Sequence, residues 1–342
     1  MDFQNNKYEK LPISIISGFL GSGKTTLINN LLSELKNKKI AIVENEFGSL
    51  GIDSSLIKKN DSDGIYELNN GCICCTKNGE LEGVLKEISE NKKNYDYVII
   101  ETTGVASLSP IVSNFFSNPI LVENFQIDSI TTIVDCKNFF LHLESEVETK
   151  NQIAFADKIL INKIDLVESF ELKKIKEKVE IINPTATLLE CINSNVGVAD
   201  VLYQEKFNVE KIEEINNKFS NFSFTNISSS IMLGESSKGH LSGISNFSII
   251  SSKQISVDKV NFFINILLEH FGKDIFRIKG IFNIENSKNK LFFQGVHNDL
   301  EWMPGSLWKD NEKRETRIIF IGKNLDSYDI AKAFNDLVEN EN

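Results

Sequence analysis

Apolar residues follow two rhythms along this chain. In the first half, β-branched runs are short and nearly continuous: PISIIS (12–17), KIAIVEN (39–45), DYVIIET (96–102), ITTIVD (130–135) and KILINK (158–163). Runs of this kind suit strands buried on both faces, and the spacing between them leaves room for crossover helices. Thr25 to Leu35 carries Leu27, Leu31, Leu32 and Leu35 at helical spacing, and Glu80 to Ile88 carries Leu81, Val84, Leu85 and Ile88 likewise. The alternation predicts a parallel α/β sheet with helices on both faces.

After about Val201 the texture becomes charged and Asn-rich, through YQEKFNVEKIEEINNKFSNFSFTNISSS, and ordered patterns resume near Gly239. Beyond that point the chain predicts a strand (SNFSII), a helix (VDKVNFFINILLEHF), three strands (DIFRIKGIFNI, KLFFQGV, TRIIFIG) and a last helix (YDIAKAFNDLV). This order predicts a smaller α+β domain of ferredoxin-like type. The expected organisation is a first domain over 1–208, a partly helical connection over 209–237, and a second domain over 238–342.

Composition narrows the class. With 342 residues, 41% hydrophobic and 25% charged, the chain can build full cores. A net charge of −11 disfavours a nonspecific nucleic-acid binder. The polar amino terminus does not read as a signal peptide, and no stretch approaches the roughly 18 apolar residues of a membrane helix. A cytoplasmic protein with no membrane partner is expected, and in that reducing setting five cysteines do not read as a disulfide framework.

The first strand runs into GFLGSGKTT, in which Gly18, Gly23, Lys24 and Thr25 match a phosphate-binding loop opening a helix. Glycines let backbone N–H groups point inward, and the helix start adds its positive end. Lys24 is expected on the β- and γ-phosphates, and the Thr25 hydroxyl on Mg²⁺. A later strand ends in NKID, placing Asn162, Lys163 and Asp165 where a carboxylate accepts from guanine N1–H and its exocyclic amine. Adenine offers neither donor. Between them YVIIETTG ends a strand at Glu101, the expected second protein partner of Mg²⁺.

Three of the five cysteines, Cys72, Cys74 and Cys75, fall within four positions of NNGCICCTKNGE. A closed zinc site wants four ligands, usually from two cysteine pairs, and the remaining Cys136 and Cys191 stand alone in strand-like contexts. Two or three thiolates from one loop make an open, exchangeable shell. Their softness selects Zn²⁺, Co²⁺, Ni²⁺ or Cu⁺ over Mg²⁺. Carboxylates near enough in sequence to complete it are Glu44, Glu46, Glu80 and Glu82, while His142, His240, His270 and His297 are isolated and carry no assigned role.

In this order the segments GFLGSGKTTL, VENEFG, GCICC, ETTG and NKID resemble the CobW-type metallochaperone GTPases, which belong with the nickel-insertion GTPases of hydrogenase and urease maturation. RIKGIF, LFFQGV and RIIFIG look like that family's C-terminal domain, so the likeness spans nearly the whole chain. The resemblance implies that Gly18, Gly21, Ser22, Gly23, Lys24, Thr25 and Thr26 bind phosphates and Mg²⁺. It implies that Asn162 and Asp165, with Lys163 between them, bind guanine, and that Cys72, Cys74 and Cys75 bind metal, with Glu44 and Glu82 joining a zinc site. The chain departs from several members in lacking a His-rich segment.

The expected function is that of a GTPase with GTP, Mg²⁺ and a transition metal as its ligands, zinc first and cobalt or another metal next. It would pass that metal to a metal-requiring client protein, and a homodimer is compatible with it. Lys24, Thr25 and Glu101 would carry catalysis. Mg²⁺·GTP would order the 43–53 segment and the cysteine loop, and hydrolysis would release them. Slow intrinsic turnover is expected, since no water-positioning Gln or arginine finger is evident. The rivals are an ATP-using P-loop kinase or ligase, and a noncatalytic metal-responsive module in which nucleotide is structural.

Overall fold

The computed structural model of the chain describes residues 10–36, 38–45, 65–68, 79–145, 147–203, 222–236, 243–297 and 299–339. Two compact units emerge: Met1–Lys176 with Ala186–Lys206, and Glu177–Thr185 with Phe207–Asn342.

In the first unit, strands β1 (Leu11–Gly18), β2 (Ile40–Asn45), β3 (Ile65–Leu68), β4 (Tyr97–Glu101), β5 (Phe125–Asp135), β6 (Lys158–Asn162) and β7 (Thr187–Glu190) form one sheet. Its order is β3-β2-β4-β1-β5-β6-β7, and every neighbouring pair is parallel. All eight residues of β1 are buried, the condition its continuous apolar run requires. Its Ser14 hydroxyl has two partners: Ser14 Oγ lies 2.7 Å from the Tyr97 hydroxyl and 2.8 Å from Ser129 Oγ. The Tyr97 hydroxyl also donates to Asp128, and burial with that carboxylate raises the Tyr97 pKa well above its ordinary value.

The helices of this unit are α1 (Lys24–Glu34), α2 (Gly79–Glu90), α3 (Leu108–Ser117), α4 (Pro119–Asn124), α5 (Phe139–Ser145), α6 (Val147–Phe155), the first part of α7 (Ser169–Ile182, of which the residues from Glu177 on belong to the second unit) and α8 (Val198–Val201). Leu27, Ile28 and Leu31 of α1 pack with Ile16, Ile42, Ile99, Ile133 and Leu160 of the strands and with Val198 and Val201 of α8. The predicted helices over 25–35 and 80–88 are α1 and α2. Strands β3 and β7 escaped the sequence pattern because each is a four-residue edge strand.

The second unit is a seven-stranded antiparallel sheet among the described residues. Its strands are β8 (Phe222–Asn226), β9 (Ile231–Ser236), β10 (Ile244–Ser251), β11 (Ile275–Phe282), β12 (Asn289–Val296), β13 (Asp299–Leu307) and β14 (Thr316–Lys323), with helices α9 (Val257–Phe271) and α10 (Ser327–Glu339). The order is β13-β12-β11-β14-β10-β9-β8. Strands β10 and β11, joined through α9, both run antiparallel to β14 between them, a split β-α-β unit. The ferredoxin-like element of the expectation is this unit, with the hairpin β12–β13 extending the sheet on one side and β9–β8 on the other. The connection expected over 209–237 is therefore shorter than its sequence suggested. Residues 222–226 and 231–236 are strands, and the β8 segment hid itself by burying Phe222 alone while Ser223, Phe224, Thr225 and Asn226 are exposed.

One amphipathic rule assembles this core. Val260, Phe263, Ile264 and Leu267 of α9 recur at i, i+3, i+4 and i+7 and pack with Ile330, Ala331, Phe334 and Val338 of α10 against strand residues such as Phe247, Ile278 and Phe320. The Phe263 and Phe334 rings meet edge to face at 5.0 Å. Ser256 caps α9, accepting from Lys259 N at 3.3 Å. Truncating Phe334 to alanine removes a fully buried ring from the centre of this cluster. Phe334→Ala is expected to lower unfolding free energy by about 3–5 kcal/mol in denaturant titration, and a loss under about 1 kcal/mol would contradict the packing described.

Candidate nucleotide and metal site

A parallel sheet brings the carboxyl ends of all its strands to one edge. Here that edge carries Gly18 of β1, Glu101 of β4, Asp135 of β5 and Asn162 of β6. The chain leaves β1 and works outward on both sides, which opens a crevice at the centre of the sheet.

The loop from β1 to α1 begins with Gly18 at φ 143° and ends with Gly23 at φ 111°. Both are obligatory for two reasons at once. A Cβ at Gly18 would lie 2.4 Å from the Ile133 carbonyl oxygen, and one at Gly23 would lie 2.5 Å from Ser194 Oγ and 2.6 Å from Asn162 Nδ2. Within the loop, Ser22 N donates to Phe19 O at 3.1 Å, and Leu27 N donates to Gly23 O at 2.9 Å to start the helix. Lys24 is 8% exposed, and its ammonium folds back to donate to Gly18 O at 3.0 Å and Phe19 O at 3.3 Å. The buried hydroxyls of Ser17, Ser22, Thr102 and Thr103 have no hydrogen-bond partner among the described residues. Buried donors normally find acceptors, so this cradle suits a ligand rich in acceptor oxygens.

Thr25 Oγ1 donates to Glu101 Oε1 at 3.2 Å. The contact follows from register, since β4 pairs with β1 and sets Glu101 opposite Ile16, two residues before the loop. A hydroxyl and a carboxylate at this spacing are hard oxygen donors, appropriate to Mg²⁺. The same register continues outward, placing the backbone of Glu44 beside Glu101 and that of Glu67 beside Glu44.

On the other side of the crevice the Asn162 carboxamide joins three segments. Its Nδ2 donates to Ser22 O at 2.8 Å and to Ser194 Oγ at 2.9 Å, while its Oδ1 accepts from Ser194 N at 2.9 Å and from the Cys191 thiol at 3.5 Å. Ser194 Oγ in turn donates to Gly23 O at 3.0 Å. Asn162 thus braces the phosphate loop against the turn after β7. Lys163, in left-handed backbone at φ 61°, donates from Nζ to Gly21 O at 2.7 Å and to Asp135 Oδ2 at 2.9 Å. Two residues on, Asp165 stands exposed in a single helical turn.

Asp135 and Ser194 are site residues that sequence reasoning missed. Asp135 could have been found as an acid at the carboxyl end of a strand in a phosphate-loop sheet, but Ser194 sits in a turn with no motif. Burial pushes the Asp135 carboxyl upward, yet the Lys163 ammonium, the Asn138 amide and the Lys137 N–H outweigh it and hold the group below the ordinary carboxylate range.

Of the transition-metal candidates, the Glu82 side chain is described. Cys72, Cys74 and Cys75 lie outside the described residues, as does the side chain of Glu44. Glu82 is exposed on α2 and accepts from Asn118 Nδ2 at 2.5 Å, while Asn118 Oδ1 caps α4. Among the described residues no group of three or more His, Cys, Asp or Glu is placed to hold a metal ion. Burial raises the Cys136 thiol to about 12, with Asp135 adding to it, and burial raises Cys191 to about 11, so both are neutral thiols rather than thiolate ligands near pH 7. The His142 ring lies 4.0 Å from the Phe19 ring at the rim of the phosphate loop, and His297 is buried.

Sheet order, glycine loop, Thr25–Glu101 pair and Asn162 brace define a P-loop nucleotide-binding protein. The chain belongs to the CobW/HypB/UreG family: that family's nucleotide-binding domain matches residues 12–190, and the cobalamin synthesis protein cobW C-terminal domain matches residues 244–338. Zinc chaperone YjiA of Escherichia coli is 30% identical over 331 residues, covering 95% of this chain and 98% of that protein. Zinc-regulated GTPase metalloprotein activator 1 of Schizosaccharomyces pombe is 30% identical over 348 residues, covering 93% of this chain and 83% of that one. The crystal structure of Zn(II)-bound YjiA GTPase from E. coli shares the fold, with a TM-score of 0.63 over 96% of this chain and 99% of the other at 23% identity.

Gly23→Ala combines a strained φ with a clash against two side chains. About 1–3 kcal/mol of strain corresponds to roughly ten- to hundredfold weaker GDP binding by calorimetry, and near-native affinity would contradict the close approach. For Asp135 the sign follows from its lowered folded pKa. Its contribution to stability is complete above the unfolded value of about 3.9 and is lost as pH falls through the lower folded value. Stability of the native protein should therefore drop more steeply between pH 5 and pH 2 than that of Asp135→Asn, and parallel pH profiles in urea titrations would refute it.

Proposed function

We propose that this protein is a GTP-hydrolysing metallochaperone that holds zinc at the Cys-x-Cys-Cys run and releases it to a client protein according to nucleotide state. The observation that carries the reading is a shared edge. Strand β3 runs parallel to β2 and β4 and ends at Leu68, in the register that holds Glu101. Cys72 follows four residues later, within about 14 Å of extended chain, and α2 resumes at Gly79. This sequence proximity supports a reading in which a change at the Thr25–Glu101 pair is passed through β2 and β3 to the cysteine run. The names of the relatives, zinc chaperone and zinc-regulated GTPase metalloprotein activator, support the same reading.

In this proposal Gly18 to Thr26 hold the phosphates, Lys24 stabilises charge developing on the transferred phosphoryl, and Asp165 reads guanine from its exposed turn. Mg²⁺, held by Thr25 and Glu101, supplies charge neutralisation between β- and γ-phosphate. Thr25 Oγ1 and Glu101 Oε1, which hydrogen-bond to each other in the structure, would hold the ion. Cys72, Cys74 and Cys75 then take zinc with Glu44 or Glu82 filling the shell. For Glu82 this means leaving Asn118.

The decisive measurement is Zn²⁺ and Co²⁺ affinity with a nonhydrolysable GTP analogue, with GDP and without nucleotide, alongside phosphate release. A nucleotide-dependent difference of at least tenfold, about 1.4 kcal/mol, is expected, together with slow GTP turnover. Equal affinities in the three states would remove the coupling, and absence of any turnover would remove the hydrolytic half.

A further inference from the structure

α6 presents Ile153, Ala154 and Phe155 to the interior, and among them stands one buried carboxamide, Gln152, 1% exposed. An amide buried in apolar surroundings is unfavourable unless its donors are satisfied. Both are: Gln152 Nε2 donates to Gly104 O and to Ala106 O, each at 3.1 Å. Its own backbone carbonyl accepts from Thr132 Oγ1 at 2.8 Å, which ties this point of α6 to β5. The carboxamide therefore holds the turn that follows Glu101 to a fixed part of the sheet.

That turn is confined from the opposite side as well. Ala106 N donates to Thr103 O at 3.1 Å, closing it, and Thr102 N donates to Ile16 O at 3.0 Å, fixing its entry. A Cβ at Gly104 would lie 2.3 Å from Leu20 N and 2.8 Å from Leu20 Cα, so Gly104 is pressed against the backbone of the phosphate loop. With the Gly104 and Ala106 carbonyls aimed at α6, trans peptide geometry turns the N–H groups of Val105 and Ser107 the other way. On the same short segment the buried Thr102 and Thr103 hydroxyls have no hydrogen-bond partner among the described residues.

We propose that Gln152 is a positioning residue that sets the peptide planes of the 103–106 turn so that the turn responds to the γ-phosphate, distinguishing GTP from GDP. The inference rests on the GTPase reading above. Gln152 touches no substrate. It acts through Gly104 and Ala106, and both of its donors are needed because one bond would leave the turn free to pivot about the other. Gln152 itself hydrogen-bonds to none of the elements that GDP would use, Gly18 to Thr26 and Asp165, and meets that loop through Gly104 against Leu20.

The test compares wild type with Gln152→Met, which keeps length and removes both donors, and with Gln152→Glu, which replaces the donating amide by an acceptor. Affinities for GDP and for a nonhydrolysable GTP analogue are measured by titration, and kcat and KM by phosphate release. Each variant is expected to keep GDP affinity within about twofold. Each should lose about tenfold in the analogue-to-GDP affinity ratio and about tenfold or more in kcat. Gln152→Asn, with the same amide one methylene shorter, should fall between. Folded variants with an unchanged ratio and kcat overturn the proposal. Equal loss of GDP and analogue binding also overturns it, leaving Gln152 as core support. A wild type that binds neither nucleotide would instead overturn the GTPase reading on which the inference stands.

Discussion

The Asn162 carboxamide is the interaction on which the nucleotide edge depends. Three pieces of chain far apart in sequence, the phosphate loop at Ser22, the end of β6, and the turn at Ser194, meet around one side chain whose donors and acceptor are all engaged. Gly23 has to be glycine because that side chain and Ser194 occupy the space a Cβ would need. The phosphate loop is thus held from behind by side chains that need not touch a ligand. A rigid cradle costs less reorganisation when charge develops within it.

From that anchored loop two contacts extend across β4. Thr25 reaches Glu101 at the strand's last residue, and Gly104 rests against Leu20 just beyond it. One side of the crevice is therefore braced through Asn162, Lys163 and Asp135, and the other is a turn clamped between the loop and α6. The asymmetry is the kind the proposed nucleotide switch would use, with one side of the crevice braced and the other able to answer a ligand. Two strands out from β4 on that side lies β3, which ends at Leu68, four residues before Cys72 in the sequence.

Much of this was legible in the residues. Continuous apolar runs marked the five longer strands of the parallel sheet, because strands buried on both faces leave no polar alternation to misread. Glycine, lysine and threonine at fixed spacing marked the loop, because only that chemistry permits close backbone approach to phosphate. The edge strands β3 and β7 went unread, being four residues long, and β8 read as linker because it buries Phe222 alone. The cysteine run was visible as a motif from the start, and its side-chain arrangement lies outside the described residues.

What the sequence by itself determined is the local chemistry: which residues can bend sharply, donate, carry charge or bind a soft metal. Asn162 and Lys163 were recognisable as half of a guanine-reading motif, but their bonds to Ser22, Ser194, Gly21 and Asp135 were not. Gln152 looked like any polar residue on a helix. Only the tertiary structure decided these roles, since a side chain's partners across 28 to 142 residues are set by strand order and register, and no spacing along one segment encodes which strand lies next to which.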